Sequence, residues 1–351
     1  MKNSERSQQV RDGKLSVSLS VVMPAYNASA WLGLTIPKLE NAIKKSGIKK
    51  AEIIVVNDGS TDDTAEVAQS LKTTFPLRLV SQKNGGRFLA RDTGVKKAKY
   101  DYVLFIDTRI FIGENALLHI MQNIGGDKLV WTSHVIIDKK SNIYARFWEA
   151  ITFISWRKYF ADPRDCSYGI KDFDYYPKGT TCFFVPKAII KEANDWFKTQ
   201  TKNAKASNDD TLLIRRIAEE NQINLSPKFY CTYHARTSLK QYSKHVYHRG
   251  KVFVDGFLRR DGNRFFWPLV IFLILSFITP IFLIVFPEYL VVAIVFGLIT
   301  WLLEFLFAII LGVPLKDAGS LFMLSPLFLI LYGGGIWKAV FDIYMSKQPA
   351  S

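Results

Sequence analysis

The chain has 351 residues and a formal net charge of +15 at pH 7, and hydrophobic residues make up 49% of it. This length allows one large domain or two modest ones. A chain this basic attracts polyanions such as nucleic acids, anionic lipid headgroups or phosphorylated substrates. No helix-turn-helix, RRM or zinc-finger pattern is present, which argues against nucleic-acid binding. The three cysteines form no C-x-x-C pair, which argues against a disulfide framework and a structural zinc site.

Residues 1–15 form a polar stretch that predicts a disordered lead without the apolar core of a signal peptide. The domain that follows, residues 16–240, is therefore expected in the cytoplasm. In its first half, apolar runs alternate with helical patterns. The predicted strands are 18–23, 52–57, 77–81 and 102–106, and the predicted helices are 31–45, 61–71, 87–98 and 115–123. This alternation predicts an α/β fold, with a mostly parallel twisted sheet between flanking helices.

Residues 265–340 contain three long apolar runs, at 265–286, 289–313 and 321–340. A bilayer core of ~30 Å needs ~20 helical residues, so these runs predict about three C-terminal transmembrane α-helices. From residue 265 onward, only three lysines and four acidic residues are present, so the positive charge lies before this point. The basic juxtamembrane segment 241–264 marks the cytosolic side and predicts contact with an anionic membrane surface. Residues 341–351 are a tail, and we expect a multi-pass protein of the inner or plasma membrane.

A segment rich in aromatic and basic residues, 144–160, is too polar to span a bilayer. It has two interpretations. In one it is a core helix with a basic outer face. In the other it is an interfacial helix with Trp148, Phe153 and Trp156 at headgroup level.

The ends of the predicted strands carry the candidate chemistry, because ligands of parallel sheets bind beyond the carboxyl ends of the strands. The turn at 24–27, Pro-Ala-Tyr-Asn, follows the first strand, and the turn at 57–60, Asn-Asp-Gly-Ser, follows the second. Both can be simple structural elements, since Asp-Gly is a common turn and Asn and Ser are common helix caps. A carboxylate at a strand end can also accept a hydrogen bond from a nucleobase or a ribose hydroxyl. The glycines at 85 and 86, before a helix, allow close approach of a phosphate.

Taken in order, four motifs resemble those of a family 2 glycosyltransferase with the GT-A fold, across residues 18–240. They are SVVMPAYNAS, EIIVVNDGSTDDT, NGGRFLARDTGVKKAKYDYVLFIDT and NDDTLLIRR. The C-terminal helices resemble those of membrane-anchored members that act on lipid-linked, polyprenyl-phosphate or cell-envelope glycans. The resemblance implies that a nucleotide-sugar donor binds here. The implied nucleotide-sugar ligands are Pro24, Ala25, Tyr26, Asn27, Asp58, Arg91, Asp107, Thr108 and Arg109.

The tripeptide Asp107-Thr108-Arg109 departs from the family pattern D-x-D, whose two acids hold Mn²⁺ or Mg²⁺ on the diphosphate. Three alternatives follow. Arg109 replaces part of the metal charge and pairs with the diphosphate directly. A metal persists on Asp107, with His234 or phosphate oxygens completing its shell. The protein is a non-catalytic relative.

The motif at 208–212, Asn-Asp-Asp-Thr-Leu, supplies the predicted catalytic acids Asp209 and Asp210. By resemblance, Asp209 matches the aspartate that takes the acceptor proton, while Asp210 is adjacent and can take that role. Either residue can instead cap the helix predicted at 211–220. The stretch from Gln241 to His245 is not the Q-x-x-R-W motif of several membrane synthases, which favours a single-sugar transferase.

The sequence therefore predicts an enzyme that transfers one sugar from a nucleotide diphosphate-sugar to a membrane-associated acceptor, with inversion. The acceptor is expected to be lipid-linked or a polyprenyl phosphate. Two alternatives remain: a glycosyltransferase that elongates a glycan chain of the cell envelope, and a membrane scaffold that binds nucleotide-sugars without turnover.

Overall fold

The computed structural model describes residues 17–140, 142–200, 209–258 and 263–345. The predicted lead at 1–15 and most of the tail at 341–351 lie outside these residues. The chain divides into two compact units. Unit 1 comprises residues 1–136 and 162–234, and unit 2 comprises residues 137–161 and 235–351.

The first half of unit 1 repeats a strand and a helix along the chain. Its elements are β1 (Ser18–Ala25), α1 (Ser29–Ser46), β2 (Lys50–Asp58), α2 (Thr64–Ser70), β3 (Leu77–Gln82), α3 (Arg87–Lys97) and β4 (Tyr102–Ile106). The strands lie in the order β3-β2-β1-β4 and are all parallel. The predicted α/β fold is confirmed. Helix α2 begins at Thr64, later than the predicted start at residue 61. The Asp62 side chain instead accepts hydrogen bonds from the backbone N–H groups of Ser29 and Thr64.

The rest of the sheet is mixed, and most of it has no counterpart in the sequence-based prediction. The following elements are β5 (Ile110–Ile112), α4 (Ala116–Asn123), β6 (Val130–Ile137), α5 (Ile143–Ser155), α6 (Arg157–Phe160), β7 (Cys166–Tyr168), β8 (Cys182–Pro186), α7 (Lys187–Gln200), α8 (Asp209–Glu220) and β9 (Ile223–Tyr233). Within the described residues the sheet continues from β4 through β8, β6 and β9 to β5, and β7 pairs with β9. The pairs β4–β8, β6–β8, β5–β9 and β7–β9 are antiparallel.

Helices cover both faces of the sheet in unit 1. On one face, α1 buries an apolar stripe at Leu32, Ile36, Leu39 and Ile43, whose spacing of three and four residues places them on one side of a helix. On the other face, α3 comes so close to β1 that a Cβ on Gly94 would lie 2.2 Å from the Val22 side chain. Both helices begin at the carboxyl edge of the parallel strands, and that edge holds the candidate site.

Unit 2 is helical. After α5 and α6 it contains α9 (Leu239–Phe257), α10 (Phe266–Val285), α11 (Leu290–Ile310) and α12 (Leu315–Met345). Three helical segments in the described chain are long and apolar enough to cross a membrane: Phe266–Val285, Pro287–Ile310 and Leu315–Ile343. The third apolar run is one continuous helix, despite Pro326 within it.

The aromatic and basic segment of unit 2 packs against other protein helices. Phe147 and Ala150 of α5 are fully buried, in a cluster that includes Leu321 of α12. The Trp148 ring lies 5.2 Å from the His245 ring, and the Arg249 guanidinium lies 5.2 Å from the Trp148 ring. These contacts favour the interpretation of α5 as a core helix.

Candidate active site

The turns after β1 and β2 are tied together at the carboxyl edge of the sheet. The Asn27 side chain accepts a hydrogen bond from the Thr61 backbone N–H at 2.8 Å, and the Asn27 backbone N–H donates to Ser60 Oγ at 3.0 Å. Asn27 has a positive φ of 49°, a conformation that asparagine tolerates better than most residues. Pro24 and Ala25 end β1, and Tyr26 stands beside them with 54% of its surface exposed. This turn therefore presents an exposed aromatic ring on a backbone that is fixed by hydrogen bonds.

Asp58 is buried at the end of β2 and organises the glycine loop that leads into α3. Its carboxylate accepts hydrogen bonds from the Gly85 and Gly86 N–H groups, both at 2.8 Å, and from Gln82 Nε2 at 2.7 Å. The next residue, Gly59, has a φ of 69°, and a Cβ there would lie 2.7 Å from the Asn84 backbone nitrogen. Asp58 therefore shapes the loop, and its contact with a nucleobase stays a prediction.

Arg91 joins two of the predicted site acids. This residue of α3 is only 2% exposed. Its Nη2 donates to Asp107 Oδ1 at 2.8 Å, and its Nη1 donates to Asp210 Oδ1 at 3.1 Å. Asp107 follows β4 and Asp210 lies in the first turn of α8, so one guanidinium connects the predicted diphosphate end and the predicted acceptor end of the site.

Two threonines that the sequence-based reasoning missed complete this network. Thr180 donates its hydroxyl to Asp210, and Thr181 donates its hydroxyl to Asp107 at 3.3 Å. The Asp107 backbone N–H also donates to the Thr181 carbonyl, at 2.9 Å. The only sequence signal was the position of these threonines immediately before an apolar run, Cys182–Pro186, which forms the neighbouring strand β8.

The other predicted catalytic acid, Asp209, begins α8, but its side chain lies outside the described residues. Helix α8 is also fixed farther along. Arg215 donates to Asp174 at 2.7 Å and its guanidinium lies 4.7 Å from the Phe173 ring. Contacts at Asp210 and at Arg215 therefore hold this helix, with its first turn next to Arg91.

The turn after β4 carries Thr108 and Arg109. The Thr108 carbonyl accepts from the Thr35 hydroxyl at 2.5 Å, and the Arg109 carbonyl accepts from the His234 backbone N–H at 3.1 Å. The Arg109 guanidinium lies 4.8 Å from the centre of the Trp31 ring. The turn is thus anchored by α1 on one side and by the end of β9 on the other.

The two predicted metal ligands do not build a divalent site of their own. One Asp107 oxygen binds Arg91 and the other binds Thr181, while the His234 ring packs 4.2 Å from the Phe111 ring. Among the described residues, no group of three or more His, Cys, Asp or Glu side chains is placed to hold a metal ion. Mg²⁺ prefers an octahedral shell of oxygen ligands. This donor set does not fit a resident ion held by the protein alone.

Residues 20–192 match the model of the family described as Glycosyl transferase family 2, which confirms the resemblance inferred from the motifs. An uncharacterized glycosyltransferase of Rickettsia bellii (strain RML369-C) is 33% identical over 115 residues, which cover 33% of this chain and 16% of the relative. A poly-beta-1,6-N-acetyl-D-glucosamine synthase of Staphylococcus aureus (strain COL) is 30% identical over 131 residues, covering 36% of this chain and 31% of the relative. The matches thus span less than a third of the length of either relative.

Among solved structures, S. aureus TarS 1-349 in complex with UDP-GlcNAc is 17% identical, with a TM-score of 0.47 over 95% of this chain and 93% of that one. TarS 1-349 in complex with UDP is 16% identical, with a TM-score of 0.46 over 68% of this chain and 66% of that one. A likeness at this level carries no argument about ligands.

Proposed function

We propose, from the premise that residues 20–192 form a domain of glycosyl transferase family 2, that the chain transfers a single sugar from a nucleotide diphosphate-sugar to a membrane-associated acceptor. The observation that carries the proposal is the double contact of Arg91 with Asp107 and Asp210. It brings the residue after β4, where the family binds the diphosphate, to the start of α8, where the family has its catalytic aspartate.

The nucleoside end of the donor is assigned to the turns after β1 and β2. Tyr26 offers an exposed ring next to the backbone fixed by Asn27, and a nucleobase can pack against such a ring. Asp58 fixes the loop at Gly85 and Gly86 by accepting hydrogen bonds from their backbone N–H groups. The N-terminus of α3, which follows this loop, favours negative charge and suits a phosphate.

The diphosphate end of the donor is assigned to Arg109, because the buried Arg91 guanidinium is already paired with Asp107 and Asp210. Negative charge grows on the leaving nucleoside diphosphate as its bond to the sugar breaks, and guanidinium groups stabilise such charge by charge-assisted hydrogen bonds. The described residues do not build a divalent site, so the charge stabilisation that the protein itself supplies is assigned to the Arg109 guanidinium. If the donor brings a divalent ion with it, EDTA will lower the release of nucleoside diphosphate in the test described below.

The acceptor end is assigned to the first turn of α8. An acceptor oxygen attacks the anomeric carbon from the side opposite the diphosphate, the carbon–oxygen bond to the diphosphate breaks, and the configuration inverts. We assign proton removal to Asp209, which matches the family position, because Arg91 and Thr180 both donate to Oδ1 of Asp210 and tie that carboxylate into the protein. Asp210 then anchors the helix that carries Asp209. An acceptor that is already a phosphate anion needs orientation more than deprotonation.

The acceptor is proposed to be lipid-linked or a polyprenyl phosphate. This is supported by the three apolar helices, which are long enough to cross a membrane, and by the basic helix α9 that precedes them in the sequence. A cytoplasmic location of unit 1 and an anionic membrane surface as a partner belong to the same proposal.

One finding favours a second candidate function. The S. aureus relative is named as a polysaccharide synthase, so a chain-elongating activity deserves a test with oligosaccharide acceptors. The third alternative, a scaffold that binds nucleotide-sugars without turnover, is tested by the same experiment.

The test measures release of nucleoside diphosphate by the full chain in lipid nanodiscs. UDP-, GDP- and dTDP-sugars are supplied with and without polyprenyl phosphate, and with or without EDTA. We expect release that depends on one donor and on the lipid. Asp209→Asn should abolish release while nucleotide binding persists, and Asp210→Asn should also lower the unfolding temperature. Nucleotide binding without release from any donor or acceptor would instead support the scaffold.

A further inference from the structure

Arg109 takes the place of an acid in the family pattern, and its guanidinium is held against an aromatic ring. The Arg109 Cζ atom lies 4.8 Å from the centre of the Trp31 ring, within the range of a cation–π contact. A free arginine side chain loses much conformational entropy when it is fixed on a ligand. A ring that already restrains the guanidinium therefore reduces the entropy lost on binding.

Trp31 is itself held in place by other rings. Its ring centre lies 5.5 Å from that of His234 and 6.3 Å from that of Phe111, and the Phe111 and His234 rings are 4.2 Å apart. His234 directly follows β9, and Phe111 belongs to β5. The surface under the guanidinium is thus built on α1, on β5 and on the residue that directly follows β9.

Helix α1 contacts the turn at both its backbone and its side chain. Thr35, four residues after Trp31 and so on the same helix face, donates to the Thr108 carbonyl at 2.5 Å. On the opposite side, the His234 backbone N–H donates to the Arg109 carbonyl at 3.1 Å. The path of the turn and the direction of the Arg109 side chain are therefore set together.

We infer that Trp31 is a positioning residue: it orients the Arg109 guanidinium for the diphosphate of a nucleotide, and it acts through Arg109 alone. The inference rests on the proposed nucleotide site, but it needs binding only and not turnover. A protein that binds nucleotides without transferring sugar would still test it.

The experiment measures the affinity of the full chain in nanodiscs for UDP, GDP and dTDP by titration calorimetry. The variants are Trp31→Leu, Trp31→Phe, Arg109→Gln and the double variant with Trp31→Leu and Arg109→Gln. The control is Leu34→Ala, a change at an exposed position on the same helix. We expect Trp31→Leu to weaken binding about 3- to 30-fold and Trp31→Phe to restore most of the loss.

In the double variant, Trp31→Leu should add nothing to the effect of Arg109→Gln. An equal loss from Trp31→Leu in both backgrounds would overturn the inference, because it would mean that Trp31 acts through the fold or contacts the nucleotide itself. Unchanged affinity in Trp31→Leu would overturn it as well. If none of the three nucleotides binds the unmodified chain, the proposed function fails, and the inference fails with it.

Discussion

The guanidinium of Arg91 donates to the carboxylate of Asp210 at 3.1 Å, across 119 positions of the sequence. The same group donates to Asp107 at 2.8 Å, and only 3% of the Arg91 side chain is exposed. One buried cation therefore compensates two carboxylates that would otherwise repel each other. Any change at Arg91 alters the geometry of both ends of the candidate site.

Replacing Arg91 with glutamine should destabilise unit 1, because Asp107 and Asp210 lose their shared positive charge. We expect a loss of about 2 kcal/mol in the free energy of unfolding, since hydrogen bonds to charged groups typically contribute ~1.5–3 kcal/mol and the two carboxylates remain partly exposed. Thermal and denaturant unfolding measure it. Adding Asp210→Asn to the Arg91→Gln variant should recover part of the stability, although Asp210→Asn alone is destabilising. If the two losses simply add, the contact has no energetic role.

The parallel half of the sheet was predictable because each strand and its helix are neighbours in the sequence. A continuous apolar run such as Glu52–Asn57 predicts a strand that is buried on both faces, whatever its position in the sheet. The second half depends on long-range pairing: β8 joins β4, and β9 joins β5, through contacts that no local pattern encodes. The sequence accordingly predicted the acids at positions 107 and 210 but not the threonines between them.

The same limit applies to the turn after β4. The departure from D-x-D at Arg109 was visible in the sequence and raised the question of what replaces the second acid. The sequence could not connect Trp31 with Arg109, because these residues come into contact only when α1 packs beside β5. His234 was predicted as a metal ligand on its position in the motif order, whereas its ring packs on Phe111 and Trp31.

Restoring the family acid should change the metal requirement. In Arg109→Asp, two carboxylates flank Thr108 and the cation near the diphosphate is lost. We expect nucleotide binding to weaken about tenfold or more without metal and to be recovered by Mn²⁺ or Mg²⁺. Calorimetric titration of UDP, GDP and dTDP with EDTA and with each metal measures this.

The unmodified chain is the reference for this variant, and its nucleotide binding should survive EDTA. Loss of binding on chelation, with recovery by Mn²⁺, would show that Asp107 and the phosphates hold an ion despite Arg109. Arg109→Gln serves as the control, since it removes the cation without adding an acid.

A pH-dependent stability is expected in unit 2 from Glu149. Burial raises the pKa of this carboxyl, the nearby carboxylate of Asp317 raises it further, and Lys139 at 3.7 Å opposes the shift. A carboxyl whose pKa is raised in the folded state favours folding below its ordinary value of ~4.3, and that contribution is lost as pH rises through the folded-state pKa. Glu149→Gln should therefore be more stable than the unmodified chain at about pH 7.

The gain from Glu149→Gln should shrink towards zero as the pH approaches about 4, where the unmodified side chain is also neutral. Unfolding temperatures in nanodiscs across this range test the sign. A variant less stable at about pH 7 would mean that the ion pair with Lys139 outweighs the cost of burial.

Helices α9 and α12 of unit 2 approach so closely that a methyl group cannot be added between them. A Cβ on Gly250 would lie 2.2 Å from the Tyr332 carbonyl oxygen, whereas a Cβ on Gly319 has nothing within 4 Å. Gly250→Ala should cost about 1–3 kcal/mol, because backbone atoms must move apart to admit the methyl group. Gly319→Ala is the matched control, and its higher helix propensity should leave stability unchanged or raised by up to ~1 kcal/mol. Both are measured by thermal unfolding of the full chain in nanodiscs. Equal stability of the two variants would contradict the close contact, since both substitutions add the same group to a helix.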